Sequence, residues 1–267
     1  MVAKGNLNIN LHTGFKHSQV VVKGDPRDLE HLHTTVINGT LMIKFDNFYP
    51  HYSKVTADIN TRRFDTFVFK GSGMIKGHNL QTNNLNIFIK NDQKNYLQGN
   101  LRLRRVTLQN GYTELIGVNS PGMTLKLSEK ARVKIVGKAN VAALEVTDDS
   151  LLSMYWIKSK SLIIRANKGV MMQLAGVVDK LDLELWGQSR FMGRYLRANQ
   201  AFIKTHDHSV VEISVVDKQH TLASDSSDIR FYNIPTFKSD FMAFDGAVLD
   251  MRDLASPFVE EYTPYNK

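Results

Sequence analysis

Three successive stretches decide the fold: LKLSEKARVKIVGKANVAA at residues 125–143, LEVTDDSLLSMYWIKSKSLI at 144–163 and IRANKGVMMQLAGVVDKLD at 164–182. Each stretch begins with an apolar residue followed by a charged one, and apolar residues return at every second position. Such alternation is typical of a β-strand with one buried face. The stretches are 19 or 20 residues long, so the strand pattern itself repeats along the chain.

The same spacing runs through most of the chain. Steps of 19 or 20 residues reach apolar residues at Phe67, Ile87, Val106, Leu125, Leu144, Ile164, Leu183, Ile203, Leu222 and Met242. A second apolar series follows the tight turn of each repeat, at Val133, Leu152, Met172, Phe191, Val211, Ile229 and Leu249. Most members of both series have an apolar partner two residues away, so each repeat is predicted to hold two strands.

Turn-forming residues separate these strands at the same period. Asn110-Gly111, Asp148-Asp149 and Asp245-Gly246 mark one corner, and Asn, Asp and Gly accept the left-handed backbone that tight turns need. A unit of this length is too short for a helical repeat. We therefore predict an all-β fold, a two-sheet parallel β-solenoid of about ten coils with 19 to 20 residues each. Parallel crossovers prefer a right-handed path, so we expect a right-handed coil.

Residues 1–54 depart from the repeat. Alternation in Leu7–Leu11 and the run Val20–Val22 predict strands, and Asn38-Gly39 predicts a two-residue hairpin turn. We interpret these strands as antiparallel hairpins that form a β cap, because an uncovered solenoid end exposes strand edges to other chains. The predicted organisation is a cap at residues 1–54, solenoid repeats at 55–254 and a polar tail at 255–267.

The order of these segments is similar to that of a known family. The positions that carry the likeness are Ile9–Gly14, Val20, Val22, Gly24-Asp25, Val36, Asn38-Gly39-Thr40-Leu41, Ile43, Val55–Ile59, Phe67 and Gly71-Ser72-Gly73. On them the chain resembles the putative auto-transporter adhesin, head GIN domain family of bacterial envelope proteins. The resemblance implies a two-sheet solenoid related in shape to pectin-lyase-like proteins, an adhesion or envelope role and no established catalytic residues. It also implies export to the periplasm, the outer membrane or the medium.

Composition removes several classes of function. The chain has 267 residues, of which 42% are apolar, and this suffices for a globular core. It contains no Cys, which excludes disulfides, cysteine-ligated zinc, iron-sulfur clusters and thiol nucleophiles. Its apolar runs are far shorter than the roughly 20 residues of a transmembrane helix. Residues 1–5 are too short and too polar for a signal peptide, so none is expected in this chain.

Charge predicts the kind of partner. Lys and Arg number 34 against 26 Asp and Glu, and the net charge of +8 favours anionic ligands. An outward series of alternating sign is predicted to pair between neighbouring coils: Lys126, Glu145, Arg165, Glu184 and Lys204. The predicted ligand-binding faces, which are mostly basic, comprise Arg102, Arg104, Lys126, Arg132, Lys134, Arg190, Arg194, Arg230 and Tyr232. A solvated surface that is merely rich in cations is the competing interpretation.

Candidates for metal or catalytic chemistry are few. His206-Asp207-His208 at a predicted turn is the weak metal candidate, and a polar turn stabilised by Asp207 is the favoured interpretation. Asp182 and Glu184 are the carboxylates that a hydrolytic or eliminative enzyme could use, but neighbouring cations favour ion pairing. The chain contains no nucleophile-elbow, Walker or dinucleotide motif, and no cofactor is expected.

These observations predict a non-enzymatic bacterial envelope or secreted protein that acts as a rigid adhesion or binding scaffold. The expected partner is an anionic polysaccharide or another cell-surface component. A carbohydrate-active enzyme, a polysaccharide lyase or hydrolase on a β-helix scaffold, is the alternative. Specific nucleic-acid binding is not expected, because no recognition helix or aromatic RNA-binding motif occurs. An outward apolar stripe at Ile163, Phe202 and Phe241 would suit a homo-oligomer contact.

Overall fold

The computed structural model describes residues 1–46, 52–233 and 237–251, which form strands almost throughout. The elements in chain order are β1 (Val2–Thr13), β2 (Gln19–Lys23), α1 (Pro26–Glu30), β3 (Leu32–Ile37), β4 (Thr40–Phe45), β5 (Val55–Thr61), β6 (Thr66–Ser72), β7 (Ile75–Asn91), β8 (Lys94–Gln109), β9 (Tyr112–Ser128), β10 (Arg132–Thr147), β11 (Leu151–Asn167), β12 (Met171–Leu185), β13 (Arg190–Thr205), β14 (Val210–Ser224), β15 (Asp228–Phe231), β16 (Phe237–Phe244) and β17 (Ala247–Asp250).

These strands build a parallel β-solenoid of about nine turns, which confirms the predicted fold class. Each of β7 to β13 makes one coil and pairs in parallel with the next. Between β10 and β11, residues 132–135 face 151–154 and residues 143–147 face 163–167, with register shifts between the two stretches. The two predicted strands of a repeat are thus two straight stretches of one long strand that bends at a corner.

The core is a set of inward columns that run along the stack. Leu125, Leu144, Ile164 and Leu183 occupy one column and are at most 2% exposed. Full burial of such a side chain stabilises the fold by about 1.5 to 3 kcal/mol relative to exposure. The period of 19 or 20 residues therefore places equivalent apolar groups on top of one another.

The tight-turn corner uses two consecutive residues with positive φ. The pair Asp148-Asp149 has φ values of 59° and 53°, and the pair Asp207-His208 has 53° and 60°. Asx side chains tolerate this left-handed region better than most, which explains their spacing in the sequence. The opposite corner includes Gly137 at φ 135°, where a Cβ would collide with the Val118 carbonyl oxygen of the preceding coil.

Buried serines support the tight-turn corner. Ser150, Ser189, Ser209 and Ser227 follow four of these turns and are almost completely buried. The Ser189 hydroxyl donates to the Trp186 carbonyl at 2.6 Å and accepts from the Val170 amide at 3.3 Å. These hydroxyls satisfy backbone groups that the sharp turn removes from the strand ladder.

The predicted register is wrong over the last coils. Leu222 faces outward, and Thr221 and Phe241 take the positions in line with Ile203. Likewise Val248, not Leu249, follows Ile229 inside the stack. The coil after Ile203 is one residue shorter than a step of 19, and a one-residue shift moves a side chain to the other face of a strand. Phe241 consequently packs against the core and is not part of an outward stripe.

The N-terminal segment combines both strand directions. β3 and β4 form the predicted antiparallel hairpin, with Asn38 and Gly39 at φ 48° and 71°. β2 pairs antiparallel with β5. β1, expected in an antiparallel hairpin, instead pairs in parallel with β4 and β5 on one side and with β6 and β7 on the other. Alternation identifies a strand but not the direction of its partner. The antiparallel strands β2 and β3 therefore lie at the N-terminal end of the stack.

Candidate anion-binding face

The outward charges of alternating sign occupy facing positions on successive coils, and two of the four predicted ion pairs form, Lys126 with Glu145 and Arg165 with Glu184. The Lys126 ammonium lies 2.6 Å from the Glu145 carboxylate. The Arg165 guanidinium binds both oxygens of Asp182 at 2.9 Å and approaches Glu184 at 3.4 Å. The hydrogen bond to Asp182 raises the pKa of Arg165 above its usual value, so this cation stays charged. The two candidate catalytic carboxylates are therefore held by one arginine.

Some of the predicted ligand-binding cations are neutralised within the protein. Lys134 binds the Glu114 carboxylate at 2.9 Å, and this hydrogen bond raises the pKa of Lys134. Arg230 lies 3.3 Å from Asp228 in its own strand. Together with Lys126, these residues have less free charge to offer a ligand than the sequence alone indicates.

Other cations point into solvent without a carboxylate. From these we select six exposed residues on β8, β10, β11 and β13 and call them the unpaired cations: Arg102, Arg104, Arg132, Lys138, Lys158 and Arg190. Within the described ranges, none of them lies within 4.0 Å of an acidic oxygen. Four of the six were predicted ligand-binding residues. Lys138 belongs to the basic stretch of the middle coils, and Lys158 lies one 20-residue period after it.

Three of the unpaired cations meet at a groove. It encloses about 300 Å³ across four successive coils, β8 to β11. Its lining consists of Arg102, Asn119, Ser120, Pro121, Lys138, Ala139, Asn140 and Lys158. None of these residues is acidic, so the groove carries a local positive potential. Asn119 and Lys158 were not predicted, because the sequence does not show which outward residues share a depression.

An arginine and two tyrosines form a second cluster near the other end. The Arg194 guanidinium lies 4.4 Å from the ring centre of Tyr232 and 5.9 Å from that of Tyr195. Burial is the main cause that raises the pKa of Tyr232, so its hydroxyl stays protonated. The predicted pair Arg194 and Tyr232 is thus brought together as a cation–π contact.

In the weak metal candidate, His206-Asp207-His208, the His206 ring stacks on a neighbouring aromatic ring. His206 lies flat against Trp186, with ring centres 5.3 Å apart, and its Nδ1 is hydrogen bonded to the Ser224 hydroxyl at 2.8 Å. Asp207 and His208 are the positive-φ residues of the turn. In the described part of the chain, no three His, Asp or Glu side chains converge as metal ligands.

Comparison with models of known protein families identifies the family of this chain. The profile of the putative auto-transporter adhesin, head GIN domain family matches residues 1–235. The chain belongs to this family. The resemblance to the head GIN domain family is therefore confirmed. A search of curated proteins finds no match.

Several crystal structures resemble this head GIN domain protein. A putative lipid binding protein from Parabacteroides distasonis ATCC 8503 is 12% identical with a TM-score of 0.47, covering 93% of this chain and 91% of that one. A putative adhesin from Parabacteroides merdae ATCC 43184 is 14% identical with a TM-score of 0.44, covering 93% and 90%. Another putative adhesin from Parabacteroides distasonis ATCC 8503 is 16% identical with a TM-score of 0.44, covering 93% and 91%.

The described residues include no helix long and apolar enough to cross a membrane.

Proposed function

We propose that this protein is a non-enzymatic adhesion scaffold, displayed on the bacterial envelope or secreted, that binds anionic glycans. The proposal rests on one observation, namely that only some of the outward cations have a carboxylate partner within the protein. Some have carboxylate partners, whereas the six unpaired cations have none among the described residues. Cations without internal partners keep a positive potential that attracts an external anion. Membership of a family of adhesins supports the adhesion role.

The repeat of the solenoid suits an extended polymer. Parallel strands are spaced by about 4.8 Å, which is close to the length of one sugar residue in an extended polysaccharide. The unpaired cations of β8, β10, β11 and β13 can therefore meet acidic sugars along an extended chain. A rigid stack is already ordered before binding, so little conformational entropy is lost on the protein side. Nucleic acid suits this surface less well, because the sequence has no recognition helix and no aromatic RNA-binding motif.

A carbohydrate-active enzyme needs carboxylates that are free to transfer protons or attack a sugar. Asp182 and Glu184 instead face the same guanidinium, that of Arg165. We infer that they stabilise the stack of coils. Replacing both, as Asp182→Asn with Glu184→Gln, should leave glycan binding unchanged and reduce stability. Release of new reducing or unsaturated sugar ends by the wild-type protein, lost in this variant, would favour the enzyme.

The proposal also includes export of the protein and its association with further copies of itself. We place the protein in the periplasm, at the outer membrane or outside the cell, in line with its family. Ile163 and Phe202 are more than 40% exposed on one sheet face and are the proposed contact between copies of a homo-oligomer. Light scattering of the wild-type protein and of an Ile163→Ser, Phe202→Ser variant measures whether the oligomeric state depends on these two side chains.

A glycan array probed at low and at physiological salt tests the proposed function. We expect binding to acidic polysaccharides at both salt concentrations, weaker at the higher one because exposed charges are screened. Neutral glycans of the same length should not bind. Binding that disappears at physiological salt, or absence of binding to any acidic glycan, would contradict the proposal.

A further inference from the structure

We propose that the groove across β8 to β11 is the subsite that recognises a single acidic sugar residue. This inference rests on the proposed function and assigns it to a place on the surface. Arg102 enters from β8, Asn119 and Pro121 from β9, Lys138 and Asn140 from β10, and Lys158 from β11.

The strand register shifts at this corner, and the groove lies beside the shift. The pairing of β9 with β10 shifts on both sides of Val141, opposite the Pro121-Gly122 segment. Proline cannot donate a ladder hydrogen bond, and such irregularities bend a strand away from its neighbours. The gap between neighbouring coils beside the shift is large enough for a ligand group.

Buried hydroxyls fix the floor of the groove. Ser120 is 3% exposed, and its hydroxyl accepts the Leu103 amide at 2.8 Å. On the neighbouring coils, Thr82 accepts the Arg102 amide at 3.0 Å and Ser159 accepts the Val141 amide at 2.8 Å. The backbone that carries the cations is therefore held in place before any ligand arrives, which lowers the entropy cost of binding.

The lining provides two kinds of polar group. The Arg102 guanidinium can donate two parallel hydrogen bonds to a carboxylate or sulfate, and Lys138 and Lys158 add positive charge. The Asn119 and Asn140 amides can each donate to and accept from a hydroxyl. Neither amide has a hydrogen-bond partner among the described residues. An acid group surrounded by hydroxyls is the chemistry of a uronic acid or a sulfated sugar.

The size of the groove agrees with one sugar residue. A volume of about 300 Å³ is at the small end of the usual range for ligand pockets. The exposed ring of Pro121 adds a short apolar surface that can contact the face of a sugar ring. A longer polysaccharide would continue beyond the groove, where Arg104 in β8 and Arg132 in β10 lie exposed.

Titration calorimetry with a galacturonic acid tetramer tests the subsite. The groove variant is Arg102→Gln, Lys138→Gln, Lys158→Gln, and the control is Lys16→Gln, Lys44→Gln, Lys76→Gln, which removes the same charge from other exposed positions. We expect the groove variant to bind at least about tenfold more weakly than wild type and the control to stay within about twofold. Circular dichroism checks that both variants keep the wild-type melting temperature.

A charge-neutral variant separates sugar recognition from anion attraction. Asn119→Ala with Asn140→Ala should weaken binding of the tetramer about threefold to tenfold and leave binding of inorganic sulfate unchanged. Equal losses in the groove variant and the control would overturn the subsite, because general charge would then explain binding. Wild-type affinity in the groove variant would overturn the subsite while the proposed function stands. If vesicles with anionic lipid bind and no acidic glycan does, both fail.

Discussion

Single residues decide how sharply each coil can turn. At the glycine corner the chain passes so close to the preceding coil that there is no room for a side chain. Gly137 has φ 135°, and its Cβ position is blocked by backbone atoms of Val118. Gly122, in the preceding coil, has open space around its Cβ position and no positive φ. The two glycines look alike in the sequence but have different roles.

The matched substitutions Gly137→Ala and Gly122→Ala test this difference. We expect the first to destabilise the protein by about 2 to 4 kcal/mol, since it adds both backbone strain and a steric clash. The second should change the free energy of unfolding by less than about 0.5 kcal/mol. Urea unfolding of both variants provides the measurement. Equal effects would show that the corner is not constrained as described.

Acid should destabilise the fold through individual aspartates. Hydrogen bonds from Arg27 lower the pKa of Asp25 to about 2, and those from His31 and His33 lower the pKa of Asp46. The native state therefore binds these protons more weakly than the unfolded chain. Their stabilisation is fully present above about pH 4 and is lost as the pH falls toward 2. Melting temperatures measured between pH 5 and pH 2 should fall, and by less in Asp25→Asn. A constant melting temperature would contradict this.

At the scale of the strand, outward ion pairs hold neighbouring coils in register. Arg165 in β11 binds Asp182 and Glu184 in β12, the next coil. Because these side chains are partly exposed, solvent screens their attraction, and such pairs contribute modestly. Their main effect is on the register of neighbouring coils, because a strand in a shifted register would place like charges next to each other.

The variant Arg165→Gln measures that contribution. It leaves two neighbouring carboxylates without their cation, and we expect a loss of roughly 1 kcal/mol in the free energy of unfolding. Adding Asp182→Asn and Glu184→Gln should recover part of the loss. Lys204→Gln, on the same face, is the control. No change in Arg165→Gln, or no recovery in the triple variant, would contradict the pairing.

Most of the fold can be predicted from the sequence because apolar and turn-forming residues recur at a nearly constant spacing. Leu125, Leu144 and Ile164 identify one column, and Asp148-Asp149 identifies a turn, without knowledge of distant contacts. Prediction fails where the period changes or where direction matters. A shorter coil shifts Leu222 outward, and the parallel pairing of β1 depends on segments far along the chain.

The candidate site is less predictable for a physical reason. Sequence spacing places Arg102 and Lys126 on outward faces, but it does not reveal which cations find a carboxylate. Lys126 does, and Arg102 does not among the described residues. The groove lies beside a register shift near Pro121, which is a property of three paired strands together.

At the scale of the whole molecule, a rigid stack presents its unpaired cations from β8, β10, β11 and β13 in fixed positions. The regular stacking of the coils buries the inward columns and also fixes the positions of the outward side chains. The fold and the proposed binding surface therefore depend on the same stacking. An adhesion role requires such a surface to hold its shape under load, and parallel hydrogen-bonded coils provide that stiffness.

The measurement to make first is titration of polygalacturonate into wild type and into Arg102→Gln, Arg104→Gln, Arg132→Gln, Arg190→Gln at physiological salt. The control, Lys16→Gln, Lys44→Gln, Lys76→Gln, Lys218→Gln, loses the same four charges from other exposed positions. We expect the arginine variant to bind at least about tenfold more weakly than wild type and the control within about twofold. Equal affinities of the arginine variant and wild type would contradict a function based on the unpaired cations.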